Sequence, residues 1–185
     1  MGKIWRPPRG VSDRHAAVTW NPCLGIALLL ALLAAAGCRP EAPSSITHTL
    51  LQDTAPDFSR LTLTGDNLDT ARLRGGLLVV KFFAQWCDPC QRTLPAFENL
   101  HRQRTSDVVF VGVSEDERAV DAEAQVKRYG LTFPIVVDRQ GTIAARFRLS
   151  MMPMTFVIDR WGRLRWVGGP KQTETELAAA IAAFR

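Results

Sequence analysis

Two cysteines stand three residues apart in Trp86-Cys87-Asp88-Pro89-Cys90. A thiol acts as a nucleophile only as thiolate, and an unperturbed cysteine has a pKa of about 8.5. At the first turn of a helix, unpaired backbone N–H groups and the positive end of the dipole lower that value. Pro89 suits such a turn, because its missing N–H would have no intrahelical partner there. Cys87 is then expected at the exposed helix end, with Cys90 nearly one turn on and able to attack a mixed disulfide formed at Cys87. Two other readings use the same residues. A zinc site would need two further ligands, and beyond residue 38 the chain offers only His48 and His101. An inert pair of small buried side chains is the remaining alternative, and the redox pair is favoured over both.

The surrounding sequence supplies elements that could hold the pair. Leu77 to Phe83 is nearly continuous apolar sequence, as in a central strand covered on both faces. A helix from Asp88 to Arg104 follows, with Leu94, Phe97 and Leu100 on one side and Pro95 as a kink. Val108 to Val113 reads as a second buried strand, and Arg118 to Tyr129 as a helix stopped by Gly130. Ile135–Asp138, Met154–Asp159 and Leu164–Val167 read as further strands, with turns at Arg139-Gln140-Gly141 and Arg160-Trp161-Gly162. Thr173 and Glu176 have capping-box spacing at the start of a last helix ending at Phe184. Phe58–Leu63 and Leu68–Leu73 flank Gly65-Asp66-Asn67 as a hairpin. The fold class is therefore α/β, with a central mixed sheet and helices on both faces.

The N-terminal region has a different character. The chain has 185 residues, 46% hydrophobic and 22% charged, with a net charge of +5. Lys3, Arg6, Arg9 and Arg14 against Asp13 put +3 of that charge in the first twenty residues. From residue 38 onward, 19 Lys and Arg face 17 Asp and Glu, so no nucleic-acid surface is expected. Leu24 to Ala36 contains only Leu, Ile, Ala and Gly, and Ala35-Ala36-Gly37 leads to Cys38. This is the pattern of an export signal, too short at about 20 Å to span a bilayer. Its end resembles a bacterial lipobox, with Ala35 where Leu is usual, and implies lipidation at Cys38. A cleaved soluble product and a retained anchor are the alternatives. Arg39 in place of Asp favours the outer over the inner membrane by the same resemblance. The division is then a signal over 1–37, a flexible tether over 38–52 and one domain over 53–185. With Cys23 removed and Cys38 lipidated, Cys87 and Cys90 are the thiols that remain, and a bridge closing so short a loop stabilises little.

Lys81-Phe82-Phe83-Ala84-Gln85-Trp86-Cys87-Asp88-Pro89-Cys90, Pro95 and Met152-Pro153-Met154-Thr155-Phe156-Val157-Ile158-Asp159 together resemble the thioredoxin superfamily. More closely, with Ala55-Pro56-Asp57-Phe58, Val111-Gly112-Val113-Ser114 and Tyr129-Gly130-Leu131-Thr132-Phe133-Pro134, the chain resembles extracytoplasmic thiol–disulfide oxidoreductases of the TlpA/ResA type. The resemblance covers about 53–185. It implies a thioredoxin fold with an N-terminal β-hairpin extension and a βα insertion. It further implies a cis bond before Pro153, and a Met152 main chain that pairs with extended substrate. Exported disulfide-containing proteins would be the substrates, the CxxCH site of apocytochrome c among them, and a membrane thiol-transfer protein the electron donor. No cofactor beyond the Cys87–Cys90 disulfide, no metal and a monomer are expected. Sco-type copper chaperones would carry CxxxC and a late His, which this chain lacks.

Departures from the pattern shape the remaining expectations. Thioredoxin carries a buried Asp at the position of Lys81, and Lys81 is expected to bury its stem while its amine reaches water. Asp88 disfavours thiolate at Cys87 and opposes the dipole. Trp86 is expected to shield the disulfide and offer apolar surface, with plain packing as the alternative. Met151, Met152 and Met154 read as a rim of a peptide groove. Glu98 is expected on a solvated face, and Glu115-Asp116-Glu117 as first-turn carboxylates without chemistry. A thiol peroxidase would have Thr where Ala84 stands, and a redox-inert binding lipoprotein is the second alternative.

Overall fold

The computed structural model describes residues 44–185. The signal over 1–37, Cys38 and the tether up to 43 lie outside the described residues. The centre of the fold is β3 (Leu77–Phe83), buried at all seven positions. It lies between β4 (Val108–Ser114), parallel to it, and β6 (Met154–Ile158), antiparallel. With β5 (Ile135–Val137) and β7 (Leu164–Gly168), the sheet runs β5-β4-β3-β6-β7. At Gly112, in β4, a Cβ would stand 2.8 Å from the Phe133 ring and 3.0 Å from that of Phe83, so only glycine fits.

Helices cover both faces. Helix α1 (Asp88–Gln103) and α4 (Glu174–Phe184) lie on one, where Val79, Phe83, Leu94, Phe97, Phe110 and Leu177 share a core with both cysteines. Buried Cys90, Leu94, Phe97 and His101 recur every three to four residues along α1, which turns one stripe to the sheet. Helix α2 (Ala119–Tyr129) adds Val126 and Tyr129 to this side and ends at Gly130, whose φ is 59°. The other face holds Leu50, Phe58, Val80 and a cluster of Phe82, Phe147 and Phe156, with centroids 5.1 to 5.5 Å apart. Thr173 and Glu176 close the expected capping box.

Three expectations change. The hairpin is shorter, with β1 (Ser59–Leu61) paired to β2 (Asn67–Asp69), because the Asp69 carboxylate accepts from the Ala71 N–H and winds Thr70–Leu73 into a 3₁₀ turn. A five-residue helix, α3 (Thr142–Arg146), follows β5 unannounced by any apolar period. Asp138 creates it by accepting from the N–H groups of Thr142, Ile143 and Ala144. The stretch up to residue 52, expected as tether, is docked from Ser44 onward. The Ile46 N–H donates to the Val167 carbonyl at 3.0 Å, the Val167 N–H to Ser45 Oγ at 2.9 Å, and Leu50 is buried. Residues 44–52 therefore pack as part of the folded body, ahead of Asp53.

Candidate active site

Cys87 and Cys90 form a disulfide where β3 gives way to α1. Cys87 is the N-cap of that helix, and its sulfur accepts the Cys90 N–H at 3.2 Å. A thiolate at Cys87 would thus meet a backbone donor and the positive end of a sixteen-residue helix. Pro89 occupies the first turn as expected, and Asp88 is exposed beside it. Cys87 itself is only 4% exposed and Cys90 fully buried, so the helix end is not the open site that spacing suggested. Trp86 is 68% exposed; its ring stands in solvent and offers apolar surface beside the pair.

The bond between Met152 and Pro153 is cis. Pro153 is buried, Met152 is half-buried and Met151 exposed. Among the described residues no hydrogen bond uses the main chain of Met152, which leaves it open to an extended partner.

The loop carrying Trp86 is held by a residue that sequence reasoning passed over. Asp116 is buried, and its Oδ1 accepts the Gln85 N–H at 2.9 Å while Oδ2 accepts the Ser114 hydroxyl at 2.8 Å. With the Glu115 N–H donating to the Phe83 carbonyl, this ties the end of β4 to the start of the redox loop. The acidic trio thus precedes α2, whose first-turn acid is Asp121, and its middle member positions the site. Glu115 is half-buried beside Asp138, and burial, then that carboxylate's charge, push its pKa up to about 8.

Comparison with known proteins meets this geometry directly. Residues 51–167 match the model of the AhpC/TSA family. The thiol–disulfide oxidoreductase ResA of Geobacillus kaustophilus is 33% identical over 146 residues, covering 76% of this chain and 83% of the relative. This chain belongs to the AhpC/TSA family, among its ResA-type thiol–disulfide oxidoreductases. The thioredoxin-like protein YneN of Bacillus subtilis is 31% identical, over 66% of this chain and 74% of its own. A secreted Mycobacterium tuberculosis disulfide oxidoreductase homologous to DsbE superposes with a TM-score of 0.63 and 26% identity, covering 68% of this chain and 95% of that one. The thioredoxin fold and the thiol–disulfide oxidoreductase activity expected from the sequence both follow.

Lys81, which stands where thioredoxin carries a buried Asp, departs from its expected placement. Its side chain is fully buried on the sheet face that carries the cysteines, rather than reaching water as expected. The strands on either side of β3 and the helix above it leave no path out. Nζ donates to Thr155 Oγ1 at 3.3 Å and lies 5.5 Å from the centroid of the Phe97 ring. No carboxylate pairs with it among the described residues, and burial lowers its pKa from 10.5 to about 7. Glu98 is also buried rather than solvated. It accepts from Arg102 Nε at 2.6 Å and from the N–H and hydroxyl of Thr132, which fixes α1 to the segment before β5. Met154 is fully buried under the cis bond, leaving Met151 and Met152 at the rim. No cluster of three or more His, Cys, Asp or Glu among the described residues could hold a metal.

Proposed function

We propose that Cys87 is the attacking thiol and Cys90 the resolving thiol in a cycle that reduces disulfides of exported proteins. The Cys87 thiolate attacks a substrate disulfide, forming a mixed disulfide and releasing one substrate thiolate. The Cys90 thiolate then attacks Cys87 Sγ, releases the second substrate thiolate and closes the Cys87–Cys90 bond, so two electrons pass to the substrate. Trp86 and the Met152-Pro153 main chain would seat the substrate, while Asp88, Pro89 and Lys81 tune the pair. The observation that carries this reading is the Cys87–Cys90 bond capped on α1 beside the open Met152 main chain.

The export-signal pattern and the extracytoplasmic setting of the family resemblance support a domain working outside the cytoplasm, and the lipobox-like Ala35-Ala36-Gly37-Cys38 followed by Arg39 supports a lipid tether on Cys38 with the outer membrane favoured. Among the described residues no helix is long and apolar enough to cross a membrane. A membrane thiol-transfer protein would return electrons, the CxxCH site of apocytochrome c is the proposed substrate, and the protein would act as a monomer with no further cofactor.

The test is the equilibrium potential of Cys87–Cys90 together with a Cys90→Ser trap. A potential below about −230 mV and captured mixed disulfides support a reductant. A potential above about −150 mV makes the protein an oxidant or isomerase, and a trap that captures nothing favours a redox-inert binding protein.

A further inference from the structure

Helix α1 starts at the redox pair and ends beside a second cavity at the opposite pole. The eleven residues from Cys90 to His101, at about 1.5 Å each, set the two about 16 Å apart. The cavity holds about 330 Å³, and His101, Arg104, Ser106, Phe110 and Pro134 are among its lining residues. His101 is buried, with the Phe110 and Phe133 rings edge-on to it at 5.6 and 5.7 Å, yet its Nδ1 has no partner among the described residues. Burial, and then the charge of Arg104, hold its pKa below the usual histidine value, so the ring is neutral at pH 7. Arg104 is exposed, and its Nη1 donates to the His101 carbonyl at 2.8 Å. The nearby carboxylates are already taken, Glu98 by Arg102 and Asp107 by Arg185, and none among the described residues pairs with Arg104. A buried ring nitrogen and an unpaired guanidinium thus border one cavity, and no protein group satisfies them.

The cavity continues into a slot of about 200 Å³ between α1 and α4. The slot shares Arg104, Val108 and Phe110 with it and is walled by Leu100, Ala178 and Ile181. We propose that cavity and slot together bind an aliphatic carboxylate, with its acid head at Arg104 and His101 and its tail between the two helices. The inference is independent of the disulfide chemistry at the other end of α1. A neutral imidazole that carries its proton on Nδ1 donates one hydrogen bond, and the guanidinium supplies the opposite charge. One cation and one ring N–H match a monoanion, whereas a phosphate head would bring a second charge with no partner. The apolar walls reward burial of an alkyl chain, and the guanidinium repels an ammonium head.

The test uses the full chain and decanoate carrying a diazirine near the end of its tail, kept below its micelle concentration. After photolysis, adducts are mapped by mass spectrometry. They are expected on residues 100–110 and 178–185. Unlabelled decanoate should displace them at least about 10-fold better than decanol or decyltrimethylammonium, because only the acid pairs with Arg104. Arg104→Gln should cut their yield about 10-fold, the loss of a charge-assisted hydrogen bond, and His101→Phe about 5-fold, the loss of a neutral one. Adducts in the apolar stretch before Cys38 serve as the reference for both variants. Arg104 lies outside the core, so its variant folds whether or not His101→Phe does. Absence of adducts from α1 and α4, equal displacement by decanol, or a yield that Arg104→Gln leaves unchanged overturns the proposal. Adducts that fall instead around Met151 and Gly169 place the tail beside the cis bond and overturn it as well. So does a dimer that Ile181→Ser separates, since a second copy would then cover the slot.

Discussion

Replacing Lys81 by Met probes a fully buried amine that has no carboxylate partner among the described residues. The amine titrates near 10.5 when solvated and near 7 in the fold, and desolvation is the cause. The unfolded chain therefore binds more protons than the native one between those values. Lys81 imposes its full cost on folding below about pH 7, and the cost falls as pH rises towards 10.5. At about 1.4 kcal/mol per pKa unit, that cost is on the order of 5 kcal/mol, of which roughly half is relieved between pH 6 and pH 9. Methionine keeps the length of the side chain, fits a pocket bounded by Phe97 and carries no charge. Lys81→Met should therefore be the more stable protein at pH 6 by several kcal/mol, with an advantage roughly halved at pH 9. Urea denaturation of the oxidised forms at both pH values measures this, and subtracting wild type from variant cancels every other titrating group, Glu115 included. A stability difference constant to within about 0.5 kcal/mol across that range would refute the reasoning, because the amine would then be equally solvated in both states.

Other substitutions test the supports of the site. Asp116→Ala strips the Ser114 hydroxyl and the Gln85 N–H of their acceptor; a loss of about 1–3 kcal/mol by denaturation and an altered rate of Cys87 alkylation are expected, and unchanged values of both contradict the positioning role. Glu115 has the opposite linkage to Lys81: its raised pKa means stability held below about pH 4.5 and lost as pH rises through about 8. Glu115→Gln should accordingly gain on wild type between pH 5 and pH 8, and thermal melts across that range that stay parallel would exclude it. Thr173→Ala removes the acceptor for the Glu176 N–H at the start of α4 and should cost about 1 kcal/mol in chemical denaturation. A loss below about 0.3 kcal/mol would show that the end of α4 does not depend on that cap.

Some of this protein is local and so can be read along the chain. Cys87 and Cys90 are joined by one helical turn, the apolar run of β3 declares a strand covered on both faces, and Thr173 with Glu176 marks a helix start. Each depends on neighbours within a few residues, where spacing is geometry. The short α3 escaped because five residues are too few to show a helical period and its cause is the Asp138 side chain. The extent of the docked segment escaped too, since its partner Val167 is more than a hundred residues on.

The sequence by itself determined the order of the strands and the longer helices, the reactive pair and the end of the helix that serves it. Only the tertiary structure decided the electrostatic setting. Lys81 loses water because β4, β6 and α1 close around β3, and none of them is its neighbour in sequence. Asp116 reaches Gln85 across 31 residues and Glu98 reaches Thr132 across 34, so both charges look solvated until the chain is folded. Burial, not residue type, fixes what a charged side chain costs and what it can hold in place, and burial is a property of the packed chain.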